Sequence, residues 1–150
     1  MQDCFPIDLD NAVFEDIEII ENPQRTRKAI QIIDPEFSCV CPKTGLPDFA
    51  TIILRYTPDE HIIELKSWKL YLRSYYGVGI FHEEAMQSIL DDFTEKVNPI
   101  WVDLTLDWHA RGGLKTTTQM TWNQKRGATV YPDNWENVNM KRHAGGWRNG

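Results

Sequence analysis

Ile100-Trp101-Val102-Asp103-Leu104-Thr105-Leu106-Asp107-Trp108 decides the fold. Every even position is apolar, while the odd positions hold Trp101, Asp103, Thr105 and Asp107. A period of two marks a strand with one face in the core and the other toward water, the habit of an antiparallel sheet. Downstream, Gly112-Gly113 supplies a turn, and Thr116 to Trp122 reads as the strand returning beside it. Upstream, Met86, Ile89, Leu90, Phe93 and Val97 recur at helical spacing until Asn98-Pro99 stops them, which predicts a helix over about 82–97. A sheet with one apolar face needs a cover, and this helix provides part of it.

A second helix is expected from Glu64 onward, with Trp68, Leu72 and Tyr75 on one face and Lys66, Lys69 and Arg73 on another. Before it, residues 28–34 form a β-branched run between Pro23 and Pro35, and residues 49–56 form another, closed by Thr57-Pro58-Asp59. Pro42-Lys43-Thr44-Gly45 is the turn between them. Strand, strand, helix, helix, strand, strand describes an α+β domain, one antiparallel sheet covered by two helices. Residues 1–14 show no sustained period and read as an arm that gains order by packing elsewhere. The stretch 123–150, rich in Asn, Gly, Lys and Arg with Tyr131, Trp135 and Trp147, reads as an extension, so the domain is placed at 1–122.

The chain has 150 residues, 41% hydrophobic and 25% charged, enough for one core. No apolar run reaches membrane-spanning length, and the first twenty residues lack the basic start and apolar centre of a secretory signal. A soluble, cytoplasmic protein is expected. Three cysteines, two of them at Cys39 and Cys41, favour free thiols over a disulfide framework. Residues 1–108 carry 9 Lys/Arg against 20 Asp/Glu, whereas 109–150 carry 7 against 2. Such asymmetry suits oppositely charged surfaces meeting in an oligomer, or a phosphate-bearing cofactor between them, better than a nucleic-acid arm.

Three segments hold groups able to do chemistry: Cys39-Val40-Cys41-Pro42-Lys43-Thr44-Gly45-Leu46-Pro47-Asp48, Glu64-Leu65-Lys66-Ser67-Trp68-Lys69, and Phe81-His82-Glu83. A thiolate is a strong nucleophile at neutral pH, and Lys43 lowers the pKa of Cys41 if the two are brought together. The blander reading is an inert, packed cysteine. Cys39, Cys41 and His82 also offer soft metal ligands, although a one-residue spacing is not that of the usual zinc knuckle, and no metal is expected. Asp48 alone reads as a turn former, Glu64 and Glu83 as helix-start carboxylates, and the Lys66, Lys69, Arg73 stripe as a solvated face or a phosphate site.

Taken together and in this order, Cys-Pro-Lys-Thr-Gly-x-Pro-Asp-Phe-Ala, Glu-Leu-Lys-Ser-Trp-Lys-Leu-Tyr and Phe-His-Glu resemble the signature of the QueF nitrile reductases, over about residues 36–113. The resemblance implies a tunnelling fold (T-fold): a ββααββ subunit whose sheets join side by side into an oligomeric barrel, a homo-oligomer that is pentamer-based or decameric. It implies NADPH-dependent reduction of the nitrile of 7-cyano-7-deazaguanine, a small-molecule deazapurine, in queuosine biosynthesis. Cys41 is then the nucleophile that forms a thioimidate and Asp48 the general acid. Ile63, Glu64, Leu65, His82 and Glu83 are implied to bind substrate, and Lys66, Ser67, Lys69 and Arg111 to bind NADPH. No membrane or direct nucleic-acid partner is implied. The rivals are an amidine-forming relative acting on deazaguanine-modified tRNA, a zinc hydrolase of the same fold, and a non-enzymatic purine- or RNA-binding module.

Overall fold

The computed structural model describes residues 6–129. Its elements are β1 (Ile7–Asp8), β2 (Ile19–Glu21), β3 (Ile30–Val40), β4 (Pro47–Thr57), β5 (His61–Ile63), α1 (Leu65–Arg73), β6 (Val78–Gly79), α2 (His82–Val97), β7 (Trp101–Trp108), β8 (Thr117–Asn123) and β9 (Gly127–Thr129). Seven strands form one sheet in the order β1-β6-β3-β4-β7-β8-β9, while β2 and β5 pair apart. The long strands β3, β4, β7 and β8 are antiparallel to their neighbours, and with α1 and α2 between them they make the expected ββααββ order.

The alternation in β7 behaves as the sequence predicts. Val102, Leu104, Leu106 and Trp108 are buried, as are Ala50, Ile52, Leu54 and Tyr56 of β4. Onto this face α2 lays Met86, Ile89, Leu90, Phe93 and Val97, and α1 lays Trp68, Tyr71 and Leu72. Each large apolar side chain so buried contributes about 1.5–3 kcal/mol. A buried polar chain locks the two helices together: Tyr71 Oη donates to Asp92 of α2, lies 3.0 Å from Tyr75 Oη, and Tyr75 Oη lies 2.7 Å from Ser88 Oγ.

β3 runs six residues beyond its expected end, through Pro35. The strand survives there because its register against β4 slips between Asp34 and Phe37. A bulge accommodates a residue that cannot donate to the ladder. The helix from Glu64 ends at Arg73, short of Tyr75, which is buried in the following turn. At the other end of the chain, β9 pairs with β8, so the sheet continues past the expected boundary at 122. Residues 130–150, with Tyr131, Trp135 and Trp147, lie outside the described residues.

The N-terminal segment, from the arm through β2, is fastened at several places. β1 pairs with β6, where a Cβ on Gly79 would stand 2.9 Å from Pro6 Cβ. Phe14 packs against Tyr75 with ring centroids 4.6 Å apart, and β2 pairs with β5. Two long edges remain open among the described residues. β3 meets β6 only at Val40, and β8 meets β9 only from Thr121 onward. No helix of the described residues is long and apolar enough to cross a membrane.

Candidate active site

Cys41 is the first residue after β3 and starts the tight turn into β4. Its N–H donates to Leu46 O at 2.9 Å, and its carbonyl accepts from Gly45 N–H at 2.9 Å. Gly45 takes the left-handed conformation with φ +69°, which a side chain rarely adopts. The turn brings Thr44 back over Cys41. The Cys41 thiol is lowered from 9.0 to about 6 by hydrogen bonds, first from the Thr44 side chain, then from Arg111, then from the backbone of Thr44 and Lys43. Lys43 therefore acts through its peptide N–H, and the cation at the sulfur is Arg111.

Asp48 is directed inward from the start of β4 and is 6% exposed. One carboxylate oxygen lies 3.0 Å from Arg111 Nε and the other 3.2 Å from His82 Nε2. Arg111 also donates from Nη1 to Thr44 Oγ1 at 3.1 Å. The guanidinium is delivered by a reverse turn in which Arg111 and Leu114 exchange two backbone bonds of 3.1 Å, with Gly112 and Gly113 at positive φ. His82 opens α2 after the extended Phe81. Its ring lies flat on the buried Trp108, 3.8 Å between centroids and 5° between planes. Trp108 Nε1 is itself tied to Thr118 Oγ1 at 3.2 Å, so the imidazole plane is fixed. Cys41, Asp48, His82 and Arg111 thus converge from four separate elements.

Cys39 points into the core, fully buried, with Sγ 4.0 Å from Ile80 O. Burial, then the Asp48 charge, pushes its thiol up to about 12, so the two cysteines have opposite chemical characters. Among the described residues no group of three or more His, Cys, Asp or Glu is arranged to hold a metal ion. Glu83 is exposed on the first turn of α2 and makes no hydrogen bond or ion pair among the described residues.

The segment Ile63, Glu64, Leu65, Lys66, Ser67, Lys69 lies elsewhere. Ile63 N–H donates to Tyr56 Oη near the far end of β4, and eight residues of strand separate Tyr56 from Asp48, a span of roughly 25 Å. Glu64 caps α1, accepting from Lys66 N–H at 2.9 Å and Ser67 N–H at 2.6 Å. These bonds, Ser67 first, lower its pKa. Ser67 is buried, and its hydroxyl accepts from Glu18 N–H at 2.9 Å and donates to Glu64 O at 2.8 Å. Lys66 and Lys69 are exposed and form no ion pair among the described residues. Arg73, the third cation of the stripe, is spent on Asp34 and Glu36.

Sequence reasoning passed over two residues of the cluster. Thr44 looked like an ordinary turn residue inside its motif. Trp108 looked like the last core position of β7, and the sign that marked it was the small Ala50 directly opposite.

Residues 47–127 match the family described as QueF-like protein. That segment holds Asp48, the Glu64 to Lys69 stretch, His82, Glu83 and Arg111, and Cys41 stands just before it. The chain is 44% identical over 113 residues to the NADPH-dependent 7-cyano-7-deazaguanine reductase of Chlorobium phaeobacteroides, covering 75% of this chain and 97% of that one. To the protein of the same name from Thermomicrobium roseum it is 50% identical over 103 residues, covering 68% and 80%. The crystal structure of the archaeosine synthase QueF-Like in the apo form superposes with a TM-score of 0.60 at 22% identity, covering 64% of this chain and 94% of that one. That likeness concerns the fold, which is the T-fold subunit. With a motif order, a fold and near full-length relatives in agreement, the chain belongs to the QueF-like family.

Proposed function

We propose that this protein reduces the nitrile of 7-cyano-7-deazaguanine to 7-aminomethyl-7-deazaguanine with NADPH, through a thioimidate on Cys41, in queuosine biosynthesis. The observation that carries the mechanism is the lowered Cys41 thiol set beside the buried Asp48–His82 pair. The Cys41 thiolate adds to the nitrile carbon, forming a C–S bond while a π pair moves to nitrogen, which takes a proton. Asp48 is the residue that delivers it, and His82, 3.2 Å away and open to the site, resupplies Asp48. NADPH, when bound, supplies hydride twice, to the thioimidate carbon and then to the imine carbon. Between the two transfers nitrogen expels Cys41 as thiolate, giving the protonated imine; the proton taken on addition and one more taken after the first transfer are the two that the amine nitrogen keeps, so two hydrides and two protons are consumed in all.

Lys66 and Lys69, exposed, without an ion pair among the described residues and one helical turn apart on α1, suit the phosphates of such a cofactor. The Ser67 hydroxyl is already committed to the arm at Glu18 and to Glu64, so we read Ser67 as fastening the arm beneath the cofactor. Glu83, exposed next to His82 and with no side-chain partner among the described residues, is suited to accept hydrogen bonds from the ring N–H and exocyclic amine of the deazapurine. The free thiols fit a cytoplasmic address.

The roughly 25 Å between Asp48 and the Ile63–Glu64 end of β4 supports a site completed by a second copy of the chain. In the four antiparallel strands β3-β4-β7-β8, the first and last run in opposite directions. The open edge of β3 can therefore take β8 of a neighbour and continue the antiparallel sheet, and repetition closes a ring, pentamer-based or decameric. Each site would then combine Cys41, Asp48, His82 and Glu83 of one chain with Ile63, Glu64, Leu65 and the lysines of another. Mixing inactive Cys41→Ala and Glu64→Ala chains, unfolding them together and refolding, should restore about a quarter of wild-type turnover, because a quarter of random interfaces pair the two intact halves. Absence of recovery in refolded mixed oligomers would place both halves in one chain.

The reaction is tested by NADPH oxidation with limiting 7-cyano-7-deazaguanine, where two equivalents per substrate are expected. Zero consumption with a mass adduct on Cys41 would instead favour the amidine-forming chemistry.

A further inference from the structure

We propose that Trp108 is the positioning residue for His82, its indole holding the imidazole in line with Asp48 while the hydrogen bond between those two is consumed by proton transfer. The inference rests on the relay of Asp48 and His82 proposed above. It adds a residue that touches neither nitrile nor cofactor, since Trp108 is fully buried.

One hydrogen bond does not fix an imidazole. The second side-chain torsion of histidine has broad wells, and Nε2 at 3.2 Å from Asp48 leaves the ring free to turn about that line. The bond is also transient. Once the imidazolium has given its Nε2 proton to Asp48, and Asp48 has passed it to the substrate nitrogen, a carboxylate faces a bare ring nitrogen. Both are acceptors, and no hydrogen bond joins them until His82 is protonated again. The ring needs a holder that does not depend on that proton. An indole face 3.8 Å away and 5° from parallel is such a holder, because it attracts the imidazole whether the ring is neutral or charged.

The indole is itself held. Its Nε1–H donates to Thr118 Oγ1 at 3.2 Å, and Phe37 meets it edge-on, with centroids 5.9 Å apart and planes at 76°. Ala50, opposite it in the pairing of β4 with β7, leaves the space that the ring fills. Val102, Leu104 and Leu106 occupy the same face of β7 and are aliphatic. A fourth aliphatic residue would fill the core as well, but it would present no flat surface to the imidazole. His82 is the first residue of α2, so the helix sets its backbone, Trp108 sets its plane, and the Nε2 edge is left directed at Asp48.

The test is a double-mutant cycle on the rate at which 7-cyano-7-deazaguanine adds to Cys41, followed by intact-mass spectrometry without NADPH. Trp108→Leu should slow addition by about tenfold or more in the wild-type background, because misplacing a reacting group by about 1 Å costs up to about 10^2-fold. In the His82→Gln background the same change should cost less than about twofold, since the group it positions is already gone. Trp108→Phe, which keeps an aromatic face, should recover most of the rate. Thr118→Val removes the Nε1 acceptor and keeps the core filled. It should slow addition by about threefold, again only where His82 is present, so the result does not hang on how Trp108→Leu folds. Slowing of equal size in both His82 backgrounds, for Trp108→Leu and Thr118→Val alike, would make Trp108 a packing residue and overturn the proposal. So would an addition rate in Trp108→Leu within about twofold of wild type. Because the readout needs no cofactor, a wild-type protein that forms the adduct and consumes no NADPH would count against the reductase reading and leave this test intact.

Discussion

Cys41→Ala should eliminate turnover and covalent capture together. Without sulfur there is no thioimidate, and hydride must add to a nitrile, which accepts it reluctantly. The loss in NADPH oxidation is expected to be on the order of 10^4-fold or more, as for nucleophiles acting within a concerted cluster. Intact-mass spectra of the wild-type protein with 7-cyano-7-deazaguanine should show one added substrate per modified chain, and the variant none. The fold should hold, since Cys41 packs at a strand end and its backbone makes the turn bonds. Cys39 cannot substitute. It is sealed in the core with its thiol raised to about 12. Residual turnover within tenfold of wild type would refute covalent catalysis at this position.

Asp48→Asn is expected to lower kcat by about 10^2- to 10^4-fold while changing the substrate KM by less than about tenfold. The amide has the shape of the carboxyl group and keeps an acceptor toward Arg111, but it does not carry a proton from His82 to nitrogen. Substrate binding should persist while the adduct forms more slowly than in the wild type, because the proton that Asp48 delivers on addition is missing, and mass spectra taken over time should show that delay. A kcat within tenfold of wild type would transfer the acid role to His82.

The core of this fold could be read from periodicity because β7 and α2 declare themselves locally: alternating apolar residues in one, an apolar stripe in the other. The two- and three-residue strands β1, β2, β5, β6 and β9 are too short to carry any period, and they exist because of partners distant in sequence. The passage of β3 through Pro35 was hidden for a different reason. Proline ordinarily ends a strand, and only the slip in pairing with β4 lets it stay. At the site, Cys41 and Asp48 were legible because one ten-residue motif, residues 41–50, holds both. The cation beside the sulfur was not, since Lys43 is nearer in sequence while Arg111 arrives across 67 residues at Thr44. Charge proximity is a property of the folded turn, and no count along the chain supplies it.

The face of the sheet turned away from the helices bears a transverse polar row. Arg55 Nε donates to Gln31 Oε1 at 2.6 Å, Arg55 lies 3.9 Å from Asp103, and Gln119 donates to Asp103 at 2.9 Å. Four long strands at about 4.8 Å spacing give each chain about 19 Å of arc. In the proposed ring of five the circumference is about 96 Å and the diameter about 30 Å, too wide for side chains to fill. The row would line a water-filled bore, where polarity is dictated by hydration. In that proposed ring, circumference would account for the ion-paired residues across the middle of the sheet, where a self-contained sandwich would need leucine.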